Sequence, residues 1–185
     1  MEPHYAKIPP DQLPPRPRNP VHVVLDNIRS AFNVGSIFRT ADAGAVERIH
    51  LCGMTAYPPN NKLAKTALGA FDYVPWTYCR EVITAIEVLR QQCIPIIAIE
   101  TSPNAKSYAD YPWPQPVAIV FGNEVRGIAP ETLRQCDATV CIPMYGYKNT
   151  INVATTFGVS LFEILRHWGA LDWTNRSPAY GRDLP

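Results

Sequence analysis

Short runs of β-branched and aliphatic residues alternate along the chain with segments of helical periodicity. Val21 to Leu25, Arg48 to Cys52, Pro95 to Glu100, Val117 to Phe121 and Thr139 to Ile142 read as strands. Several are apolar on both faces, the pattern of strands covered from both sides. Between the first two, Val34, Ile37, Phe38 and Ala41 share one face of a helix that Asn33 is placed to cap and Gly44 to end. Glu81 to Gln92 carries a second amphipathic pattern, and Pro130 with Leu133 predicts a short third helix with proline in its first turn. Strands alternating with helices imply an α/β fold, a mostly parallel sheet flanked by helices.

The last helix is predicted from Ile151 to Trp168. Ala154, Phe157, Leu161, Leu165 and Trp168 form one apolar row, and Val159 and Phe162 form another. One face suits the sheet. The second calls for a partner, and a homodimer is the expectation.

Residues 1–20 hold seven prolines with Lys7, Arg16 and Arg18, a composition that favours extended chain over helix or strand. Such a tail either wraps loosely or reaches RNA as a basic arm. Residues 171–185 read as a second, polar tail, which leaves 21–170 as one domain. With 185 residues and 46% hydrophobic content the chain fills one core. A net charge of +1 neither requires nor excludes a nucleic-acid partner, because phosphate binding depends on a local patch.

Cys52, Cys79, Cys93, Cys136 and Cys141 contain no Cys-x-x-Cys pair, and His4, His22, His50 and His167 stand singly. Reduced structural thiols and no metal are expected. The start of the chain lacks a charged segment followed by an apolar one, and no later stretch is long and apolar enough to span a bilayer. A soluble cytoplasmic protein without a membrane partner is the expectation.

The polar residues that interrupt this pattern gather at strand ends and helix starts, where α/β proteins place their chemistry. They do not form the common nucleotide fingerprints. No Gly-x-Gly-x-x-Gly follows the first strand, and Gly122-Asn123-Glu124-Val125-Arg126-Gly127 lacks the Lys-Ser/Thr ending of a phosphate loop and carries an acid that would repel phosphate.

Three ordered segments instead resemble the SpoU-type, or TrmH-like, branch of the SPOUT methyltransferases. The first is Asn33-Val34-Gly35-Ser36-Ile37-Phe38-Arg39-Thr40-Ala41. The second is Ile119 to Phe121 running into Gly122-Asn123-Glu124-Val125-Arg126-Gly127. The third is Ile142-Pro143 followed by Thr150-Ile151-Asn152-Val153-Ala154. The resemblance covers about residues 21–168. It implies S-adenosylmethionine as cofactor, methylation of RNA, and a C-terminal deep trefoil knot, one of the exceptions to unknotted topology.

The same resemblance implies roles. Arg39 aligns with the family's catalytic arginine; a guanidinium is a poor base, so its expected work is to bind a substrate phosphate and polarise the hydroxyl. Asn33, Glu124 and Asn152 join it in the active site, with Glu124 accepting hydrogen bonds from loop amides and from Asn152. Thr150 stands where the family usually has serine and keeps the hydroxyl. Asn33 and Asn152 also read simply as helix caps. The cofactor is expected against Thr101, Gly122, Asn123, Ile142, Met144 and Ile151, on the Glu100–Thr101, Gly122–Asn123 and Ile142–Ile151 loops.

Arg29, Arg39, Lys62, Lys65, Arg126 and Lys148 are the expected RNA contacts, with Arg16 and Arg18 on the tail, and they suit phosphate positioning rather than base reading. Together these readings point to ribose 2′-O-methylation of RNA. tRNA is favoured over rRNA because the compact chain carries no separate RNA-binding domain. An rRNA methyltransferase, a base-methylating relative and a non-catalytic RNA-binding or assembly factor of the same fold stand as alternatives.

Overall fold

A computed structural model of the chain describes residues 17–171. Seven strands form one sheet: β1 (Asn19–Asp26), β2 (Val46–Cys52), β3 (Trp76–Cys79), β4 (Ile96–Ile99), β5 (Lys106–Ser107), β6 (Val117–Phe121) and β7 (Ala138–Cys141). Their order is β3-β2-β1-β6-β4-β7-β5, and every pairing is parallel. The central strands β1, β4 and β6 are buried almost throughout, which is why their sequences are apolar without alternation.

The helices are α1 (Ala31–Ala43), α2 (Asn61–Ala67), α3 (Val82–Gln91), α4 (Pro130–Leu133) and α5 (Val153–His167). On one face of the sheet, Val34, Ile37 and Phe38 of α1, Leu63 of α2, and Phe157, Leu161 and Ile164 of α5 pack with Leu25, Leu51 and Phe121. On the other, Ile86 and Leu89 of α3 and Ile128, ahead of α4, pack with Val24, Ala98 and Val120. The connections leaving β1 and β7 therefore turn to one face and the connection leaving β6 to the other. Such divergence opens a crevice at the carboxyl ends of parallel strands.

Several sequence expectations change. Asn33 does not cap α1; Ser30 does, its Oγ accepting from the Asn33 amide at 3.3 Å, which puts Asn33 inside the first turn. The helix pattern starts earlier than read because Ala31 and Phe32 fall outside the apolar stripe. α2, β3 and β5 went unread. α2 is only seven residues long, β5 has two, and β3 is a partly exposed edge strand of mixed character.

β1 starts at Asn19, two residues into the stretch read as tail. Arg18 is held against the body by the carbonyls of Val46 (3.2 Å) and Tyr73 (2.6 Å) rather than held out for RNA. The remainder of both tails, Arg16 included, lies outside the described residues. α5 begins two residues later than expected, with Asn152 as its cap. Phe157, Leu161 and Leu165 of its first apolar row are buried and Ala154 and Trp168 half-buried, while Phe162 of the second remains 41% exposed. Among the described residues no helix is long and apolar enough to cross a membrane.

Candidate active site

A cleft of about 960 Å³ opens at the carboxyl ends of β4, β6 and β7, a size suited to a small-molecule ligand. Thr101, Gly122, Asn123, Ile142, Met144 and Ile151, the residues expected to meet a cofactor, all line it. So do Asn33, Glu124, Thr150 and Asn152, and the basic residues Arg29 and Arg126. Residues as far apart in sequence as Arg29 and Asn152 thus converge on one cavity.

The loop after β6 is shaped by two glycines. A Cβ on Gly122 would lie 2.4 Å from the backbone of Gly127 and Ile128. Gly127 has φ +69°, and a Cβ there would lie 2.5 Å from Glu100 Oε2. Between them Asn123 closes a tight turn. Its backbone exchanges hydrogen bonds with Gly127 at 3.1 and 2.8 Å, and its Oδ1 accepts from the amides of Val125 and Arg126. Glu100 secures the turn from β4, accepting from the Ile128 amide at 2.9 Å through one oxygen and from the Thr101 amide at 2.9 Å through the other. The sequence places Glu100 at a strand end and on a cofactor loop but does not express this bracing role.

This turn delivers Glu124 to the amino end of α1. Its carboxylate accepts from the amides of Arg29 (2.8 Å) and Ser30 (3.1 Å) and from Asn33 Nδ2 (2.9 Å). Asn33 Oδ1 in turn accepts from Asn152 Nδ2 at 3.0 Å. Asn152 Oδ1 caps α5 by accepting from the Ala154 and Thr155 amides. Expected contact between Glu124 and Asn152 is therefore corrected: Asn33 stands between them. Its freedom to do so follows from Ser30 taking the capping position.

The resulting relay has one direction. Every amide has a fixed orientation, because each oxygen meets a donor and the chain terminates on a carboxylate. Partial burial by itself would raise the Glu124 pKa, yet the hydrogen bonds from Arg29, Asn33, its own amide and Ser30 outweigh that and hold it below the ordinary carboxylate range. A carboxylate so stabilised is a weak base and a strong anchor. Three elements, two helix starts and a loop, are tied at one point.

Arg39 is exposed on α1, its side chain makes no hydrogen bond or ion pair among the described residues, and it does not line this cleft. Lys62, Lys65 and Lys148 are also exposed and outside it. A shallower groove runs between α1 and α5, lined by Ser36, Thr40, Thr155, Gly158 and Val159, and it meets the cleft at Asn33 and Asn152. No group of three or more His, Cys, Asp or Glu side chains among the described residues is placed to hold a metal ion.

Comparison with known proteins gives concordant matches. The model of the SpoU rRNA methylase family matches residues 20–162. A protein of Staphylococcus haemolyticus assigned to the TrmH family of tRNA/rRNA methyltransferases is 30% identical over 144 residues, 78% of this chain and 57% of the relative. The chain thus spans little more than half the length of that curated relative. Among solved structures, an AdoMet-bound rRNA methyltransferase from Sinorhizobium meliloti is similar with a TM-score of 0.71 and 28% identity, over 85% of this chain and 59% of that one. The SpoU methyltransferase AviRb from Streptomyces viridochromogenes, in complex with the cofactor AdoMet, gives 0.72 and 27%, over 86% and 64%.

Proposed function

The chain belongs to the SpoU rRNA methylase family, and from that premise we propose that it transfers a methyl group from S-adenosylmethionine to a ribose 2′-hydroxyl of RNA. tRNA is the favoured substrate class and rRNA the alternative. The observation that carries the reading is the convergence of Glu124, Asn33 and Asn152 in one hydrogen-bonded relay on the wall of the cleft.

The residues of the cleft fit the cofactor. Ile99, Ile142, Met144 and Ile151 offer apolar contact for a purine ring, while Thr101 and the backbone of the 122–128 loop offer polar contact for ribose and amino-acid groups. When bound, the cofactor supplies an electrophilic methyl carbon on a sulfonium. Glu124 keeps its negative charge and fixes the openings of α1 and α5 through Asn33 and Asn152. Such fixed placement is worth a large part of the acceleration when a transfer needs mainly alignment. Arg29 and Arg126 stand at the mouth to receive phosphate.

Arg39 is assigned to binding a substrate phosphate and polarising the hydroxyl. In its own chain it lies outside the cleft, so this role calls for a homodimer in which a second copy sits against α1 and α5, where Phe162 is exposed. We also assign to the segment after β7 the family's trefoil knot. Membership of the family supports that threading.

Arg39 outside the cleft is equally the observation that would favour a non-catalytic RNA-binding factor. The decisive experiment incubates the protein with tritiated cofactor and separate unmodified tRNA and rRNA pools, then digests the RNA to nucleosides. The expected product is a 2′-O-methylnucleoside from the tRNA pool, lost with Arg39→Ala. Mixing inactive Arg39→Ala and Glu124→Ala chains should restore part of the activity if the site is shared. Cofactor binding by calorimetry with no label in either pool would sink the catalytic reading.

A further inference from the structure

Beyond the cleft, the same edge of the sheet carries two exposed aromatic rings that nothing in the mechanism uses. Tyr57, on the loop after β2, and Tyr78, on the edge strand β3, lie 4.5 Å apart between ring centroids, tilted by 40°. They are 46% and 42% exposed, and Met54 beside them in the same loop is 62% exposed. Rings serving only to close a sheet edge are covered by what they close. Each of these two keeps more than two-fifths of its surface exposed.

Hydrogen bonds set the position of Tyr78 and of the loop that carries Tyr57. Tyr78 donates its hydroxyl hydrogen to the Gly53 carbonyl at 3.0 Å. Gly53 donates to the Cys79 carbonyl at 3.1 Å, and the Met54 amide donates to Asn27 Oδ1 at 3.0 Å. The Thr55 hydroxyl bridges the Leu25 carbonyl and the Ile28 amide at 3.0 and 2.9 Å. Asn27, in a left-handed conformation at φ 57°, is turned by a hydrogen bond to Asp26 Oδ1 at 2.7 Å. Its carbonyl accepts from Asn123 Nδ2 at 2.8 Å, and Asn123 lines the cleft. A path of hydrogen bonds, continued through the Gly53–Met54 peptide, therefore joins Tyr78 to Asn123 on the lining of the cleft.

We propose that Tyr57 and Tyr78, with Met54, form a stacking platform for an unpaired base of the RNA substrate close to the nucleotide held in the cleft. The proposal rests on the RNA-methylating function argued above and adds a substrate contact to it. β3 lies three strand spacings, about 14 Å, from β6, the nearest strand whose end opens the cleft, a span for two or three nucleotides. Lys62, five residues beyond Tyr57, and Arg80, two beyond Tyr78, are both exposed and supply charge for the backbone of such a strand. π-faces accept any base, so the platform adds affinity without a sequence code.

The test uses the full chain, a fluorescein-labelled decaadenylate followed by anisotropy, and methyl transfer to unmodified tRNA. Tyr57 makes no hydrogen bond through its hydroxyl among the described residues, so its replacement leaves the network in place. Tyr57→Ala and Tyr57→Leu should each weaken decaadenylate binding about tenfold and raise KM comparably, at unchanged kcat and unchanged calorimetric affinity for the cofactor. Tyr57→Phe should bind like the wild type. The slope of log affinity against log salt should stay the same in Tyr57→Ala and flatten in Lys62→Ala, since only the lysine releases counterions.

Wild-type affinity in Tyr57→Ala, wild-type affinity in Tyr57→Leu, or no decaadenylate binding by the wild-type chain would each overturn the platform. Methyl transfer with a KM indifferent to Tyr57 removes the platform and leaves the proposed function standing. Tyr57-dependent RNA binding without methyl transfer to any RNA does the reverse.

Discussion

Two polar clusters cross this molecule, and they are built on opposite terms. Glu124, Asn33 and Asn152 meet at the open carboxyl edge of the sheet, charged at one end and reaching three separate elements. His22, His50 and Thr77 meet inside the sheet on three neighbouring strands. His22 Nδ1 lies 3.4 Å from His50 Nε2, and Thr77 Oγ1 lies 3.1 Å from His50 Nδ1. Both clusters hold a titratable group with a lowered pKa, for contrasting reasons. Hydrogen bonds keep the Glu124 carboxylate charged against the pull of burial. Burial keeps the imidazoles neutral: it is the leading cause for both, and it takes His50 down to about 4, helped by His22 and Arg48. A cluster arranged to preserve charge serves a ligand. One arranged to suppress it serves the core.

The largest expected effect tests the buried cluster. Between the ordinary histidine pKa of 6.5 and the folded value of about 4, the unfolded chain takes up a proton at position 50 that the folded chain refuses. Stability is thus fully present above pH 6.5 and falls as the pH drops toward 4, by about 3 kcal/mol for His50 alone. Urea unfolding followed across this window should show the decline, and His50→Gln should flatten it. Glu124 would act in a lower window, since a depressed carboxylate loses its contribution only as pH falls through its folded value. A decline that survived His50→Gln and vanished in Glu124→Gln would reverse the assignment of the two clusters.

Glu124→Ala sharpens the other side. Removing the anchor frees the amino end of α1 and releases Asn33, and a misplacement of this kind costs on the order of 100-fold in turnover. Because Glu124 is exposed, the urea midpoint at neutral pH should fall only modestly. Tritium incorporation and unfolding measured on one preparation separate the two effects. A large loss of stability with proportionate loss of activity would make Glu124 a structural residue like the histidines.

The difference between the clusters also governs what the sequence expresses. Buried strands such as Val117–Phe121 announce themselves by unbroken apolar runs, and the core and parallel sheet followed from them. Site residues were legible as residue types at strand ends; their wiring was not. Asn33 in the first turn and Asn33 at the cap differ only in where α1 starts, and that start depends on Ser30 being free to accept from an amide. The place of Asn33 between Glu124 and Asn152 depends on contacts spanning 91 and 119 residues of sequence, which periodicity cannot express. His22 and His50 stand singly in the sequence for the same reason: the pair exists only once β1 and β2 are in register. The Tyr57–Tyr78 pair escaped because β3 is an edge strand with no apolar run to mark it.

Ser30 and Asn33 therefore make the smallest and most discriminating test. They lie one helical turn apart at the start of α1 and both have short polar side chains, so a reading by residue type treats them alike. In the structure Ser30 accepts the Asn33 amide and ends the helix, whereas the Asn33 side chain turns away to join Glu124 and Asn152. Ser30→Ala should cost about 1 kcal/mol of stability, the ordinary loss of a cap. It should leave turnover within about twofold, because Glu124 still holds the Ser30 amide and that contact does not depend on the side chain. Asn33→Ala should do the opposite: little change in the urea midpoint, and about tenfold lower turnover as Asn152 loses its acceptor and Glu124 a donor. Equal losses of stability in the two variants would mean that Asn33 shares the capping after all. The relay would then be a by-product of helix termination rather than the feature that sets the geometry of the cleft.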